Sequence, residues 1–241
     1  GQQPGLLGGP LYSLYKGISA VRLAERLEGL LERPVLPVFW VASEDHDWDE
    51  ADHTYLIDTA NKLVRLQVPD PGHAHRALHR IPLGEEITDV VEQAAANLPS
   101  TDFSAPYVDQ LREAYKPGAT LADGFTAVLS SLLAPLGMCF ADAASPAVKE
   151  LSGPLLLKEL DRAEAHETLL REAADKLERA GFPPQVPILD GAINLFLEGP
   201  EGRERIYRNG NDFELRRSHE FVSAAAVRER AETDPLTLSP N

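Results

Sequence analysis

The hydrophobic positions change period several times along the chain, and each change predicts an element. Leu11, Leu14, Ile18, Val21, Leu27, Leu30 and Leu31 recur at helical spacing, which predicts a helix opening at Pro10 and ending at Arg33-Pro34. Val35 to Ala42 is apolar apart from Pro37, rich in β-branched and aromatic residues, and does not alternate. It reads as a strand covered on both faces, as in parallel sheets. Thr54–Ile57 and Lys62–Val68 read as two more strands, the second alternating and half exposed. Glu85–Leu98, Ala105–Tyr115 and Thr120–Leu133 are helical, and Met138–Ala141 is a buried strand ending in Asp142. A helix precedes strand 35–42 and strand 138–141 alike, so the two are expected to be parallel neighbours or near neighbours in one sheet. Ser145-Pro146 starts a long helix to Ala180, with a break expected at Pro154. Beyond it, Gln185–Ile188, Asn194–Glu198, Arg205–Arg208 and Phe213–Leu215 are short strands joined by Gly199-Pro-Glu-Gly202 and Asn209-Gly-Asn211, an antiparallel meander. Ser218 is then expected to cap a helix through Val227 to about Ala231, with Glu220 in its first turn.

These elements place the chain in the α/β class with a parallel sheet. The first helix and strand are half of a βαβ unit whose opening strand should lie before residue 1. Four segments follow: 1–68 as the first part of the core, 69–118 as a helical and loop insertion, 119–184 as the core's continuation with the long helix, and 185–241 as an antiparallel β connecting segment and helix.

Composition narrows the function. The 241 residues are 43% hydrophobic, enough to bury a sizeable core. A net charge of −15 argues against nucleic acid and against a polybasic membrane contact. The single cysteine, Cys139, excludes an internal disulfide and suits a cytoplasmic location, and its apolar flanks predict a packing role. No apolar run reaches the roughly 18 residues of a membrane-spanning helix, and no signal peptide is visible. The chain opens on Gly1-Gln-Gln-Pro4 and closes on Ser239-Pro-Asn241, so an internal fragment is expected.

The densest chemistry lies just after strand 35–42, where eight of the ten residues Glu44 to His53 are Asp, Glu or His. In open parallel sheets ligands sit beyond the carboxyl ends of the strands. Crowded carboxylates raise one another's pKa, which suits Glu44, Asp45, His46 and Asp47 to an active-site floor. The plain alternative is a solvated acidic turn with His53 packed beneath the sheet, and Asp49 to Asp52 read as solvated. The glycine-rich loop Gly1–Pro10 feeds a helix start that can cradle an anion, with Lys16 as a cation one turn beyond Tyr12. A tight turn with a snorkelling lysine is the competing reading. His73, His75 and His79 stand among Arg76 and Arg80, which favours a solvated basic patch over a metal site. His46, Asp47 and His53 could hold a divalent metal in a hydrolase, the rival enzyme class, but no tight ligand spacing supports it and no metal is assigned. A binding or assembly module is the non-enzyme rival.

Three strings, Gly1-Gln-Gln with Gly9-Pro-Leu-Tyr-Ser-Leu-Tyr-Lys16, Val38-Phe-Trp-Val-Ala-Ser-Glu-Asp-His-Asp47, and Gln185-Val with Asn194-Leu-Phe-Leu197, together resemble the bacillithiol biosynthesis cysteine-adding enzyme family, the cysteine ligases. The resemblance spans essentially the whole chain. It implies a Rossmann-like core related to class I aminoacyl-tRNA synthetases and nucleotidyltransferases such as pantothenate synthetase. It implies addition of cysteine to the amine of glucosaminyl-malate, with ATP as the driver. Family members are longer, carry a coiled coil and are expected to be homodimers. Some have histidine before the motif lysine; here that position is Tyr15, which leaves Lys16 as the catalytic cation.

Ligation requires activation of the cysteine carboxylate followed by attack of an amine. Cations and amide donors must meet phosphate, anions must hold the cysteine ammonium, and a base must take the amine proton. Lys16 and the helix start suit the first need, Asp45 or Asp47 the second, and His46 or Glu44 the third. Gln2, Gln3, Gly9, Tyr12 and His53 are the expected substrate contacts, with Asn194 or Arg205 brought in by the meander. Lys16 and the Glu44–Asp47 turn are expected to face one cavity.

Overall fold

The computed structural model describes residues 1–72, 75–199 and 202–240. The chain separates into two units, Gly1–Ser145 and Pro146–Asn241, with the boundary inside segment 119–184.

In the first unit, helix α1 (Tyr12–Leu31) begins two residues after Pro10, with Leu11 as its N-cap. It buries Ser13, Gly17, Val21 and Ala24. Leu14, Ile18 and Val21 of the predicted stripe lie on the packed face, whereas Leu11, Leu30 and Leu31 at the helix ends are exposed. Small residues occupy that face because a neighbouring helix comes close: a Cβ on Gly17 would stand 2.4 Å from Leu133 Cδ1. Leu133 ends α5 (Leu121–Leu133), which opens with a capping box between Thr120 and Asp123.

Strand β1 (Val38–Val41) pairs in parallel with β4 (Cys139–Asp142), as expected, with Val38 opposite Cys139 and Val41 opposite Asp142. Gln2 adds a parallel bridge to Val41. Phe39 and Val41 pack on Val21, Phe125, Leu129 and Leu133. The opposite face is not covered, since Val38 and Trp40 are 52% and 42% exposed. Among the described residues α1 and α5 cover one side of the pair only, so β1 alternates where a doubly covered strand was expected. Cys139 shares the open side with Val38 and is exposed rather than packed, while Met138 takes the buried position.

The connection from β1 to β4 holds a one-turn helix, α2 (Trp48–Ala51), and an antiparallel hairpin of β2 (His53–Ile57) and β3 (Leu63–Gln67) that sets His53 opposite Gln67. Helices α3 (Glu86–Asn97) and α4 (Ser104–Ala114) follow. Trp48, Leu66, Leu78, Ile87, Tyr115 and Leu121 belong to the core they build. The expected solvated histidine patch is only partly so. His75 and Arg76 are exposed, but His79 and Arg80 are half-buried. His73 lies outside the described residues.

In the second unit α6 (Pro146–Asp161) runs on through Pro154, and the break comes at Arg162, before α7 (Ala163–Arg179). The proline removes one donor, but Leu156 and Leu160 anchor the helix in the unit's core. Arg162, at φ −118° and ψ 19°, leaves the helical region instead. The meander is observed as β5 (Ala192–Gly199), β6 (Gly202–Asn209) and β7 (Asp212–Leu215), extended by β8 (Glu220–Val222) and β9 (Leu238–Pro240) in the antiparallel order β8-β7-β6-β5-β9. Gln185–Ile188 forms no strand. Glu220 lies in β8 rather than in a helix, because Val222 is buried opposite Phe213. The cap of α8 (Ala224–Thr233) is therefore Ser223, which accepts a hydrogen bond from Ala226 N at 3.1 Å. Pro200 and Glu201 of the first expected turn lie outside the described residues.

Lys149 is 2% exposed and donates to Leu238 O at 2.7 Å, tying α6 to β9. Burial, and then the charge of Arg203, bring its pKa from 10.5 down to about 8, against a smaller opposing effect of Asp234. Below pH 8 the folded and unfolded states both hold the proton. Between about 8 and 10.5 the unfolded state binds more protons, so stability should rise with pH, by at most roughly 1.4 kcal/mol per unit. Urea unfolding of the parent and of Lys149→Met across that window checks this: the variant should lose the slope, and an equal slope in both would contradict it.

Candidate functional site

The carboxyl ends of β1 and β4 are tied to each other. Ser43 Oγ bonds Asp142 Oδ1, and Ala144 N donates to Asp142 Oδ1 at 2.7 Å and to Ser43 Oγ at 3.3 Å. Leu78 N donates to Asp45 O at 2.7 Å and His79 N to Ser43 O at 3.1 Å, so the end of the histidine patch closes this edge. Glu44 is buried here. Asp45 Oδ1 accepts from His46 N at 2.7 Å and Asp47 N at 3.4 Å, and His46 Nδ1 lies 3.7 Å from it. Asp47 caps α2 by accepting from Glu50 N. Asp45 and Asp47 thus both accept from backbone amides of their own turn.

Lys16 reaches the same edge through two glutamines. Its Nζ donates to Gln2 Oε1 at 2.8 Å and stands 5.0 Å from the Tyr12 ring centre, and Gln2 Nε2 lies 3.4 Å from the Tyr12 hydroxyl. Gln3 Nε2 donates to the carbonyl of Asp47 at 3.0 Å. Gln2 and Gln3 therefore join the lysine to the acidic turn. The glycine loop before α1 is held from below by Tyr115, whose hydroxyl accepts from Gly8 N at 2.8 Å and donates to Gly5 O at 3.1 Å. Complete burial pushes this phenol's pKa up.

A cleft of about 630 Å³ opens beside the loop, with Gly9, Pro10, Tyr12, Glu50, His53 and Tyr55 among its walls. Lys16 and Glu44–Asp47 are not in its lining. Asp52, expected to be solvated, is 3% exposed. It is bonded to His53 Nδ1 at 2.7 Å and accepts from Gln67 Nε2 at 2.6 Å. Asn194 and Arg205 belong to the second unit. Asn194 Nδ2 donates to Glu159 Oε1 at 2.9 Å, in a separate cavity of about 390 Å³ that His166 also lines. The Arg205 guanidinium lies 4.9 Å from the Phe196 ring centre.

Ser43, Asp52, Gln67, Tyr115 and Asp142 were not foreseen as site residues. For three of them the sequence signal is position: Ser43 directly follows the strand expected at 35–42, Asp142 ends the one expected at 138–141, and Asp52 lies two residues before the one expected at Thr54. His46, Asp47 and His53 do not converge, and no group of three or more His, Cys, Asp or Glu among the described residues is placed to hold a metal ion. No helix among those residues is long and apolar enough to cross a membrane.

Parallel strands backed by helices, with the ionisable residues at their carboxyl ends, define an α/β domain of Rossmann-like type. Residues 1–241 match the family described as "Bacillithiol biosynthesis BshC, N-terminal Rossmann-like domain", and the chain belongs to that family. It is 34% identical to a Salinibacter ruber protein named "Putative cysteine ligase BshC", over all of this chain and 44% of that protein. Proteins of the same name from Heliobacterium modesticaldum and Bacillus mycoides are each 30% identical, again over the whole chain and over 44% and 45% of their own lengths. The chain thus spans less than half the length of these curated relatives.

Proposed function

We propose that this chain is the N-terminal Rossmann-like part of a carbon–nitrogen ligase that joins cysteine to the amine of glucosaminyl-malate, with ATP as the driver. The observation that supports the reading is the match of every residue to the family's N-terminal domain. ATP would activate the cysteine carboxylate toward the amine. The residues before and within α1 suit its phosphates: the first turn has no acidic residue and no side-chain cap, Gly8 and Gly9 adopt positive φ, and Lys16 lies about one turn further on. In this reading Lys16 neutralises the phosphate oxygens, Gln2 orients it, and Asp45 or Asp47 holds the cysteine ammonium. Incubating the natural protein that carries this chain with cysteine, glucosaminyl-malate and ATP should yield bacillithiol by mass spectrometry, and omitting ATP should abolish it. Product without ATP, or none with it, contradicts the ATP-driven reaction.

A further inference from the structure

Resting on the ligase reading, we infer that the cleft beside Gly9 and Tyr12 receives the amine-bearing substrate and that His53, held by Asp52, is the base that takes the amine proton.

The dyad is built more firmly than a chance contact. The Asp52 side chain is 4% exposed, and both of its oxygens are engaged, Oδ1 by His53 Nδ1 at 2.7 Å and Oδ2 by Gln67 Nε2 at 2.6 Å. Its backbone is also fixed, with Asp52 N on Trp48 O at 2.8 Å and Val68 N on Asp52 O at 2.9 Å. A carboxylate so placed can only accept, so the imidazole proton sits on Nδ1 and the lone pair on Nε2. Nε2 has no hydrogen-bond partner among the described residues. The ring stands in the cleft wall, edge-on to Tyr55 at 5.5 Å between centres.

The cleft's volume of about 630 Å³ suits a small-molecule substrate. Tyr12 lines it while also contacting Gln2 and Lys16, so the cleft adjoins the proposed phosphate site. Glu50, also in the wall, offers an anion to the amine in its ammonium form. His46, the alternative base, stands beside Asp45, whose side chain is 38% exposed, a looser hold than that of Asp52.

In the step itself the neutral amine nitrogen bonds to the activated carbonyl carbon of cysteine. The leaving phosphate or nucleotide departs with the electron pair of the broken bond, and the N–H proton passes to His53 Nε2. Asp52 is a positioning residue: it sets the tautomer and steadies the imidazolium.

His53→Gln in the natural protein should lower bacillithiol formation about 10²- to 10⁴-fold, with the KM for cysteine little changed. It should also remove the acid limb of the pH–rate profile, in a setting where Asp52, Glu50, Tyr12 and Tyr55, with Arg65 across the hairpin from Tyr55, are the charged and titratable neighbours. Asp52→Asn should cause a loss of similar kind, because its amide can donate to Nδ1 and move the proton to Nε2. A third measurement needs no variant: nitrogen NMR of parent His53 should show Nδ1 protonated and Nε2 bare, and Nε2 should shift when glucosaminyl-malate is added. A His53→Gln protein within twofold of the parent with its acid limb intact, or a parent imidazole unmoved by saturating glucosaminyl-malate, overturns the assignment and leaves the ligase standing. A parent that makes no bacillithiol overturns the ligase reading, and this assignment with it.

Discussion

Tyr115→Ala should cost the first unit about 4 kcal/mol or more, and Tyr115→Phe about 1–3 kcal/mol. The ring is 1% exposed and packs so closely on α5 that a Cβ on Gly124 would lie 2.4 Å from its Cε1. Removing the ring leaves a large cavity. Removing only the hydroxyl leaves Gly8 N–H and Gly5 C=O without the partner that spans more than a hundred residues of sequence. Because those two groups belong to the loop feeding α1, amide exchange at Gly8 should quicken in both variants. Urea unfolding with hydrogen exchange checks both effects. A Phe variant within 0.5 kcal/mol of the parent, with Gly8 still protected, would show that the hydroxyl does not hold the loop.

Lys16→Ala should reduce kcat/KM in the natural protein about 10- to 100-fold. A charge-assisted hydrogen bond contributes about 1.5–3 kcal/mol, and each 1.4 kcal/mol is tenfold. The loss should appear with ATP as the varied substrate. Stability should change by no more than about 0.5 kcal/mol, because the lysine is exposed and its hydrogen bond is to Gln2, which carries no charge. Equal kinetics for parent and variant at subsaturating ATP would remove Lys16 from the mechanism.

The parallel pair was legible because each of its strands is a short apolar run that follows a helix and a Pro or Gly break. The strand-end cluster was legible because its residues are consecutive. Relations made by folding were not. Asp52 sits in an acidic run and looks solvated, yet the single turn of α2 carries it inward to meet Gln67, fifteen residues later. Ser218 and Ser223 are equally good caps by residue type. The choice falls to Ser223 because Val222 is buried opposite Phe213, a contact that no local pattern announces. The open face of β1 is hidden in the sequence for a related reason, since an apolar run records hydrophobicity without recording which side a helix will cover. Pro154 reads as a break because its local cost is evident in sequence, whereas the packing of Leu156 and Leu160 that outweighs it is not.

The central claim is most directly tested by thiol analysis in cells. A bacillithiol-producing bacterium deleted for its own cysteine-adding enzyme, and supplied with the natural protein that carries this chain, should regain bacillithiol and cease to accumulate glucosaminyl-malate. Expression of the protein with glucosaminyl-malate still accumulating and bacillithiol still absent would contradict the account.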